Sequence, residues 1–119
     1  MEGEFLNGEK NGNIKEYDIS NGKLLIEGEY FNGEKKGNIK EYGKNEELLF
    51  EGKYIKGERN GKGKEYYKTQ LIFEGEYLNN KKWNGKGKEF KKYTDRLIFE
   101  YEYSNGERNG KGKEFFKKW

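Results

Sequence analysis

Glutamate and lysine are the most frequent side chains in this sequence that could take part in chemistry, and both recur at regular intervals. One column of carboxylates consists of Glu27, Glu51, Glu74 and Glu100, which we expect to face lysines across neighbouring strands. A glycosidase-like site needs one distinct pair of carboxylates, whereas here every candidate pair is repeated. The Gly-Lys-Gly step at residues 61–63 also recurs, without the rest of a phosphate-binding loop. The pattern therefore predicts a protein that is not an enzyme.

The 119-residue sequence contains neither histidine nor cysteine. Histidine is the commonest general base, and cysteine supplies thiol nucleophiles and many zinc ligands. We therefore expect no metal site and no other cofactor. Charged residues make up 39% of the chain, but 25 Lys and Arg are interleaved with 22 Asp and Glu, so the clustered positive surface that binds nucleic acid is not expected.

High charge is typical of disorder, yet the aromatic residues predict order because they stand at the same place in every repeat. No apolar run is long enough to span a membrane, and the N-terminal residues lack the apolar core of a signal peptide. We expect a cytoplasmic protein, with peripheral attachment to a membrane left open.

One phrase recurs along the whole chain. Aligned on a Glu-Gly step, the repeats begin near Gly3, Gly28, Gly52, Gly75 and Tyr101, at intervals of 23 to 26 residues. A period of this size is typical of stacked repeat proteins, in which each unit packs against the next. We predict a single array over residues 1–119, with repeats at 1–23, 24–47, 48–70, 71–96 and 97–119.

Each repeat has the pattern of a β-hairpin. In the segment LLFEGKY, Phe50, Gly52 and Tyr54 fall on one face of a strand, and Glu51 and Lys53 fall on the other. Asn-Gly dipeptides suit the positive φ angles of tight hairpin turns, and two such positions follow the strand a few residues apart. The sequence leaves open which of the two forms the tip.

The sequence predicts two irregular features, one in the returning strand and one in the first strand of the hairpin. Ile39 and Tyr42 lie three residues apart, so we expect a bulge near the glycine to bring them onto one face. Gly52 weakens a strand unless something fills the gap that it leaves, and we expect a ring from a neighbouring hairpin to lie over its backbone. Because an isolated hairpin is marginally stable in water, the array is expected to be the folding unit.

This phrase resembles the MORN (membrane occupation and recognition nexus) repeat. The family's Tyr-x-Gly-x-Trp corresponds to Phe50-x-Gly52-x-Tyr54 and Phe73-x-Gly75-x-Tyr77, and its later glycines correspond to Gly57, Gly61 and Gly63. The resemblance covers essentially the whole chain. It implies an all-β fold: an elongated, single-layer, twisted antiparallel sheet of about five stacked hairpins, with a groove along one face.

The sequence also departs from the family pattern. Tyr or Phe stands at every position of the family's tryptophan, Glu65 occupies a position that is usually aromatic, and Ile14 and Ile39 stand where later repeats have glycine. The ending KEYY is similar to divergent MORN-like repeats of some bacterial antitoxin-like proteins. That similarity implies an alternative function, an inhibitor that blocks a partner enzyme.

The aromatic row along one face is the leading candidate for a binding surface. Each ring is explained either by packing between repeats or by an apolar groove for an extended or helical peptide. We predict a non-catalytic scaffold that holds a segment of a partner protein in this groove. The contact residues would be Tyr30, Phe50, Tyr54, Phe73, Tyr77, Phe99 and Tyr103, with the inserted Trp83.

We also make predictions for two further surfaces, one at the last repeat and one at the hairpin tips. The last repeat has Tyr101 in place of its first glycine, and we expect a C-terminal cap or homodimer contact formed by Tyr101, Phe115, Phe116 and Trp119. Cations near the hairpin tips, such as Lys35 and Arg59, could meet anionic lipid headgroups. A membrane adaptor is therefore the third hypothesis, although adjacent glutamates dilute this positive charge.

Overall fold

The computed structural model describes residues 2–90 and 97–114, and only the backbone of residues 98, 99 and 109–114. Within these ranges the chain forms ten β-strands and contains no helix that could cross a membrane. The strands are β1 (Glu2–Leu6), β2 (Glu9–Tyr17), β3 (Leu24–Phe31), β4 (Glu34–Tyr42), β5 (Leu48–Ile55), β6 (Glu58–Tyr67), β7 (Gln70–Leu78), β8 (Lys81–Phe90), β9 (Leu97–Ser104) and β10 (Glu107–Glu114).

All ten strands belong to one open sheet, and each strand pairs with its neighbours in chain order. Every pairing is antiparallel. The molecule measures 57 × 33 × 14 Å. A thickness of 14 Å leaves no room for a second sheet, which would lie about 10 Å from the first and add its own side chains. The predicted fold class, an all-β, single-layer antiparallel sheet of hairpins, is confirmed.

The first Asn-Gly position of each repeat forms the hairpin tip. Asn7 and Gly8 have φ angles of +52° and +80°, as a type I′ turn requires at both central residues. The same signs occur at Asn32–Gly33, Lys56–Gly57, Asn79–Asn80 and Asn105–Gly106. These turns also connect the hairpins, because a backbone N–H at the tip donates to the preceding hairpin, as from Gly33 to the Lys10 carbonyl.

The second glycine position lies inside the returning strand, where the pairing is irregular. In the third hairpin Tyr54 pairs with Arg59 and Gly52 pairs with Gly63, so three residues of β6 oppose Lys53 alone. The fourth hairpin has a different register because of the insertion at residue 83. There, one extra residue, Trp83, lies between the pairs Tyr77–Lys82 and Glu76–Asn84. Beyond it, the pairing is offset by two residues relative to the third hairpin.

The expectation that a bulge places Ile39 and Tyr42 on one face is wrong. Ile39 is 1% exposed, whereas the Tyr42 hydroxyl donates a hydrogen bond to Glu27, which lies on the opposite face of the sheet. Tyr42 needs no apolar neighbour there, because its hydroxyl has a carboxylate partner. The regular alternation of β4 is therefore preserved between these two residues.

A central row of glycines and isoleucines runs across the sheet, and we call it the glycine row. Its members pair in the order Gly3, Ile14, Gly28, Ile39, Gly52, Gly63, Gly75 and Gly85. In the first two hairpins isoleucine fills the space above the neighbouring glycine. A Cβ atom added to Gly28 would lie 2.6 Å from the Ile39 Cδ1.

Aromatic rings replace isoleucine over the glycine row in the later hairpins. A Cβ atom added to Gly63 would lie 2.9 Å from ring atoms of both Phe50 and Tyr77. Tyr77 belongs to the neighbouring hairpin, so rings do pack on bare backbone across repeats. At Gly52 itself, where we expected such a ring, the ring comes instead from Phe50 of the same strand, 2.7 Å from the added Cβ.

Candidate functional site

One face of the sheet, which we call the ring face, is buried by contacts within the chain. Six of its aromatic residues are 8% exposed or less, and these are Tyr30, Phe50, Tyr54, Phe73, Tyr77 and Tyr101. The Phe50 centroid lies 5.4 Å from that of Tyr77, with the rings edge to face. Such pairs contribute about 0.5–1.5 kcal/mol beyond their buried area. Because the sheet has one layer, other side chains must cover these rings.

A row of cations provides that cover. Five residues after the aromatic residue that precedes each tip stands a Lys or Arg, and these are Lys10, Lys35, Arg59, Lys82 and Arg108. The Lys35 Nζ lies 5.0 Å from the Tyr54 centroid in the next hairpin. The Arg59 guanidinium lies 3.8 Å from the Phe50 centroid and 5.6 Å from that of Tyr77. Contacts of this kind stabilise by about 0.5–2 kcal/mol, more when desolvated.

Carboxylates complete the contacts between hairpins on the ring face. The Tyr54 hydroxyl donates to Glu41 and the Tyr77 hydroxyl donates to Glu65, each a glutamate of the preceding hairpin. Arg59 pairs with both of these glutamates, at 3.5 and 3.3 Å. Burial, reinforced by the bond to Glu41, raises the pKa of Tyr54 to about 12. Burial and Glu65 raise the pKa of Tyr77 still further above its usual range.

The opposite face, which we call the groove face, carries the predicted charge pairs. Glu51 pairs across strands with Lys40 on one side and Lys64 on the other, and the Lys64 Nζ lies 3.7 Å from Glu74. Exposed pairs of this kind contribute about 1 kcal/mol or less. The cross-strand arrangement of glutamates against lysines, expected from the sequence, is therefore confirmed in these hairpins.

Tyrosine hydroxyls also connect the two strands of a hairpin on the groove face. Tyr17 donates to Glu2, Tyr42 to Glu27 and Tyr66 to Glu51, each bond spanning 15 residues of sequence. Burial, followed by the bond to Glu27, raises the pKa of Tyr42 to about 12. These bonds hold the glutamates in place beside the glycine row.

A groove runs over the glycine row on this face, from β1 to β7. One part, about 600 Å³, has a floor that includes Gly52, Gly63 and Gly75, and a second part of about 500 Å³ lies over Gly3 and Gly28. The two parts meet at Asn38 and Lys40, which line both. Their charged walls include Lys15, Glu27, Lys40, Glu51, Lys62, Lys64, Glu74 and Glu76. Among the described side chains, no aromatic ring lines either part of the groove.

Exposed apolar side chains stand beside this groove, next to the hairpin tips. We call them the tip row, and they are Leu6 (56% exposed), Phe31 (52%), Ile55 (53%) and Leu78 (39%). Each follows the ring-face aromatic residue by one position, so each lies on the groove face. A row of apolar residues beside a charged groove is the composition expected of a protein-binding surface.

The sequence-predicted contact residues occupy two different situations. Phe50, Tyr54, Phe73 and Tyr77 pack together in one cluster on the ring face, with the partly buried Tyr103 beside Phe73. Tyr30 is also buried, outside that cluster. A role of these residues in binding a partner stays a prediction. Trp83 lies over the tip of the next hairpin, since a Cβ added to Gly106 would lie 3.0 Å from its ring. The side chain of Phe99 and all of Phe115, Phe116 and Trp119 lie outside the described residues.

Tyr101 fills a space over the preceding hairpin. A Cβ added to Gly87 would lie 2.1 Å from the Tyr101 Cζ, and the Arg108 guanidinium lies 4.0 Å above the Tyr101 ring. Tyr101 thus stands where earlier repeats have a glycine, and its ring packs on Gly87, which pairs with it on the neighbouring strand. The proposed cap or dimer role of this residue stays a prediction.

Sequence reasoning missed the covering role of the cation row and the position of the groove. The constant five-residue spacing from the first aromatic residue to the cation was available as a signal, because a two-residue turn makes those positions cross-strand partners. In the part of the chain that the structure describes, no group of His, Cys, Asp and Glu is arranged to hold a metal ion. No family model matches the chain, and no curated protein matches it.

Proposed function

We propose that the chain is a divergent MORN-like repeat array that binds an extended segment of a partner protein and performs no catalysis. The observation that carries this proposal is the groove on the groove face, which crosses seven neighbouring strands over the glycine row. Seven strands at about 4.8 Å spacing extend over roughly 29 Å. An extended segment of about nine residues has that length.

The burial of the ring face supports placing the partner on the groove face. Tyr54 and Tyr77 are 5% and 3% exposed and their hydroxyls already have carboxylate partners. A partner reaching those rings would have to displace Arg59, which contacts two rings and two glutamates. The groove requires no such rearrangement, because its floor includes bare backbone and its walls are charged side chains that are exposed or partly exposed.

The chemistry of the groove favours a protein segment of mixed charge. Its walls alternate between lysine and glutamate, so a strongly acidic or strongly basic ligand would meet repulsion at every second position. Phe31 and Ile55 of the tip row lie on the same face and offer apolar contacts for side chains of the partner. A few well-buried side chains commonly supply most of the affinity of an interface.

An anionic membrane is a weaker candidate partner. Lys10, Lys35 and Arg59 lie over rings of the sheet, and Lys10 and Arg59 also pair with glutamates. Releasing them toward lipid headgroups would break these contacts. The remaining tip charges are mixed in sign, whereas surface attraction to anionic lipid needs several uninterrupted cations.

The decisive experiment compares two doubly substituted proteins with the same net charge. Lys40→Glu with Lys64→Glu reverses the charge of two groove walls, and the matched control reverses Lys44 and Lys56, which are exposed outside the groove. Proteins captured from the native source by the unaltered chain would be identified by mass spectrometry. Cross-links would then locate the bound segment on the sheet.

We expect the partner to be lost with the groove substitutions, to be retained with the control, and to cross-link beside the glycine row. Equal binding by both variants, or cross-links confined to the connectors, would contradict the proposal. Binding to vesicles of phosphatidylserine at physiological salt, without any protein partner, would instead favour the membrane adaptor.

A further inference from the structure

The first strand exposes an aromatic residue whose counterparts in the next three hairpins are buried. Phe5 occupies the position of Tyr30 and Tyr77 in the repeat, yet it is 51% exposed, whereas those tyrosines are 6% and 3% exposed. The difference arises because each later tyrosine is covered by the preceding hairpin. Within the described residues, β1 pairs only with β2. Its outer side therefore has the features of an inter-hairpin junction without the preceding hairpin.

The internal junctions show what would complete that side. Between β6 and β7, Lys62 pairs with Glu76, Gly63 with Gly75 and Lys64 with Glu74. Between β8 and β9 the same pattern recurs: Lys86 pairs with Glu102 and Lys88 with Glu100. A Lys-x-Lys segment on the returning strand thus meets a Glu-x-Glu segment on the next strand. Opposite charges facing each other across strands stabilise the pairing by roughly 0.2–1 kcal/mol each.

The two outer strands of the sheet carry the two halves of this junction. β1 has Glu2-Gly3-Glu4 and β10 has Lys111-Gly112-Lys113. The register of the β6–β7 junction, transferred to these strands, would pair Lys113 with Glu2, Gly112 with Gly3 and Lys111 with Glu4. Because β1 and β10 stand at the two ends of the open sheet that the described residues form, this pairing joins two different molecules.

We propose that β10 of one molecule pairs with β1 of a second copy, so that the sheet continues from one molecule to the next. Pairing of β1 with another β1 would place glutamates opposite glutamates, and pairing of β10 with β10 would place lysines opposite lysines. Charge therefore selects the head-to-tail arrangement. A junction of this kind does not close on itself after two subunits, so copies add one after another into a chain or a larger ring. This inference is independent of the proposed function, which concerns the groove.

Charge reversal at each end provides the test, with molar mass by light scattering and sedimentation velocity as the readouts. The unaltered protein is expected to form concentration-dependent multiples of 14.1 kDa. Glu2→Lys with Glu4→Lys should be monomeric, as should Lys111→Glu with Lys113→Glu. Mixing these two variants should restore association, because each lysine end then meets a glutamate end. The control is Glu29→Lys with Glu58→Lys, which makes the same charge change at exposed residues of β3 and β6, away from the two outer strands. This variant should assemble like the unaltered protein.

A cysteine pair gives a second measurement that does not depend on altered charge. The chain has no cysteine, so Glu4→Cys with Lys111→Cys introduces the only thiols. Under mild oxidation by a copper–phenanthroline complex we expect a ladder of disulfide-linked monomers, dimers and trimers, whereas Glu4→Cys alone should give no more than dimers. A monomeric unaltered protein, a mixture of charge variants that stays monomeric, or the absence of a ladder would each overturn the proposal. Circular dichroism of every variant checks that the sheet is retained.

Discussion

Replacing Gly63 by isoleucine should destabilise the array, and a second substitution should relieve much of the loss. The added Cβ would lie 2.9 Å from ring atoms of Phe50 and Tyr77, which are 1% and 3% exposed. Rings packed this closely cannot move aside without disturbing the cations above them. Overpacking of this kind costs about 1–3 kcal/mol.

The second hairpin already contains the compensating arrangement. There, Ile39 stands at the position of Gly63, and Ile26 stands at the position of Phe50. Phe50→Ile alone removes a buried ring and should cost roughly 1–3 kcal/mol because it leaves a cavity. In the double variant, isoleucine fills the space that the ring occupied. We therefore expect the combined loss to be at least about 1 kcal/mol smaller than the sum of the two single losses, a coupling typical of residues in contact.

Urea unfolding followed by circular dichroism measures all four proteins of this double-mutant cycle. A coupling of 1 kcal/mol corresponds to roughly 4 °C in Tm for a chain of this size. Gly63→Ile combined with Leu78→Ala in the exposed tip row serves as the control and should be additive. If the Phe50 and Gly63 substitutions were also additive within about 0.5 kcal/mol, large and small residues would not be exchanging across the glycine row, and the reasoning would be refuted.

Three further predictions concern the covering layer and the turns. Burial raises the folded-state pKa of Tyr54 to about 12, above the usual value near 10. The contribution of Tyr54 to stability should therefore be complete below pH 10 and should decline as the pH rises from 10 toward 12. Tyr54→Phe should reduce this decline in urea titrations, and an unchanged decline would contradict the prediction. Arg59→Gln should lower the free energy of unfolding by about 1–3 kcal/mol, because it removes a guanidinium from two rings and two carboxylates. Arg59→Lys, which copies Lys35 of the preceding hairpin, should lower it by less. Equal losses for the two variants would count against a specific role for the guanidinium. Lys56→Asn places at φ +50° a residue better suited to a type I′ turn and should stabilise by a few tenths of a kcal/mol to about 1 kcal/mol, which a lower Tm would exclude.

The fold could be predicted from the sequence because each repeat shows both the two-residue alternation of a strand and the residues of a tight turn. Alternation in LLFEGKY gives the strand and its two faces, and the Asn-Gly steps give the turns. The choice between two Asn-Gly positions was not accessible, since both suit positive φ and only the pairing register distinguishes Asn7–Gly8 from the bulge position. The offset register of the fourth hairpin was hidden for a similar reason, because an insertion can be absorbed in more than one way.

The candidate site was accessible only in part. Sequence periodicity brought Phe50, Tyr54 and Tyr77 together correctly, but it could not tell whether their rings face solvent or the long side chains of Lys35 and Arg59. Those side chains reach across to the next hairpin, and their positions depend on strand order and register. The groove is a feature of bare backbone over the glycine row, so no side-chain pattern marks it directly.

Proton NMR of the folded protein tests most directly whether rings packed on glycine backbone join the hairpins. The α proton of Gly63 that a Cβ would replace should lie against the rings of Phe50 and Tyr77. It should show strong nuclear Overhauser contacts to both rings, with a resonance displaced by the ring currents. Contacts to Tyr77 matter most, because that ring belongs to the next hairpin. Gly63 α protons at ordinary shifts, with no contact to either ring, would contradict the account.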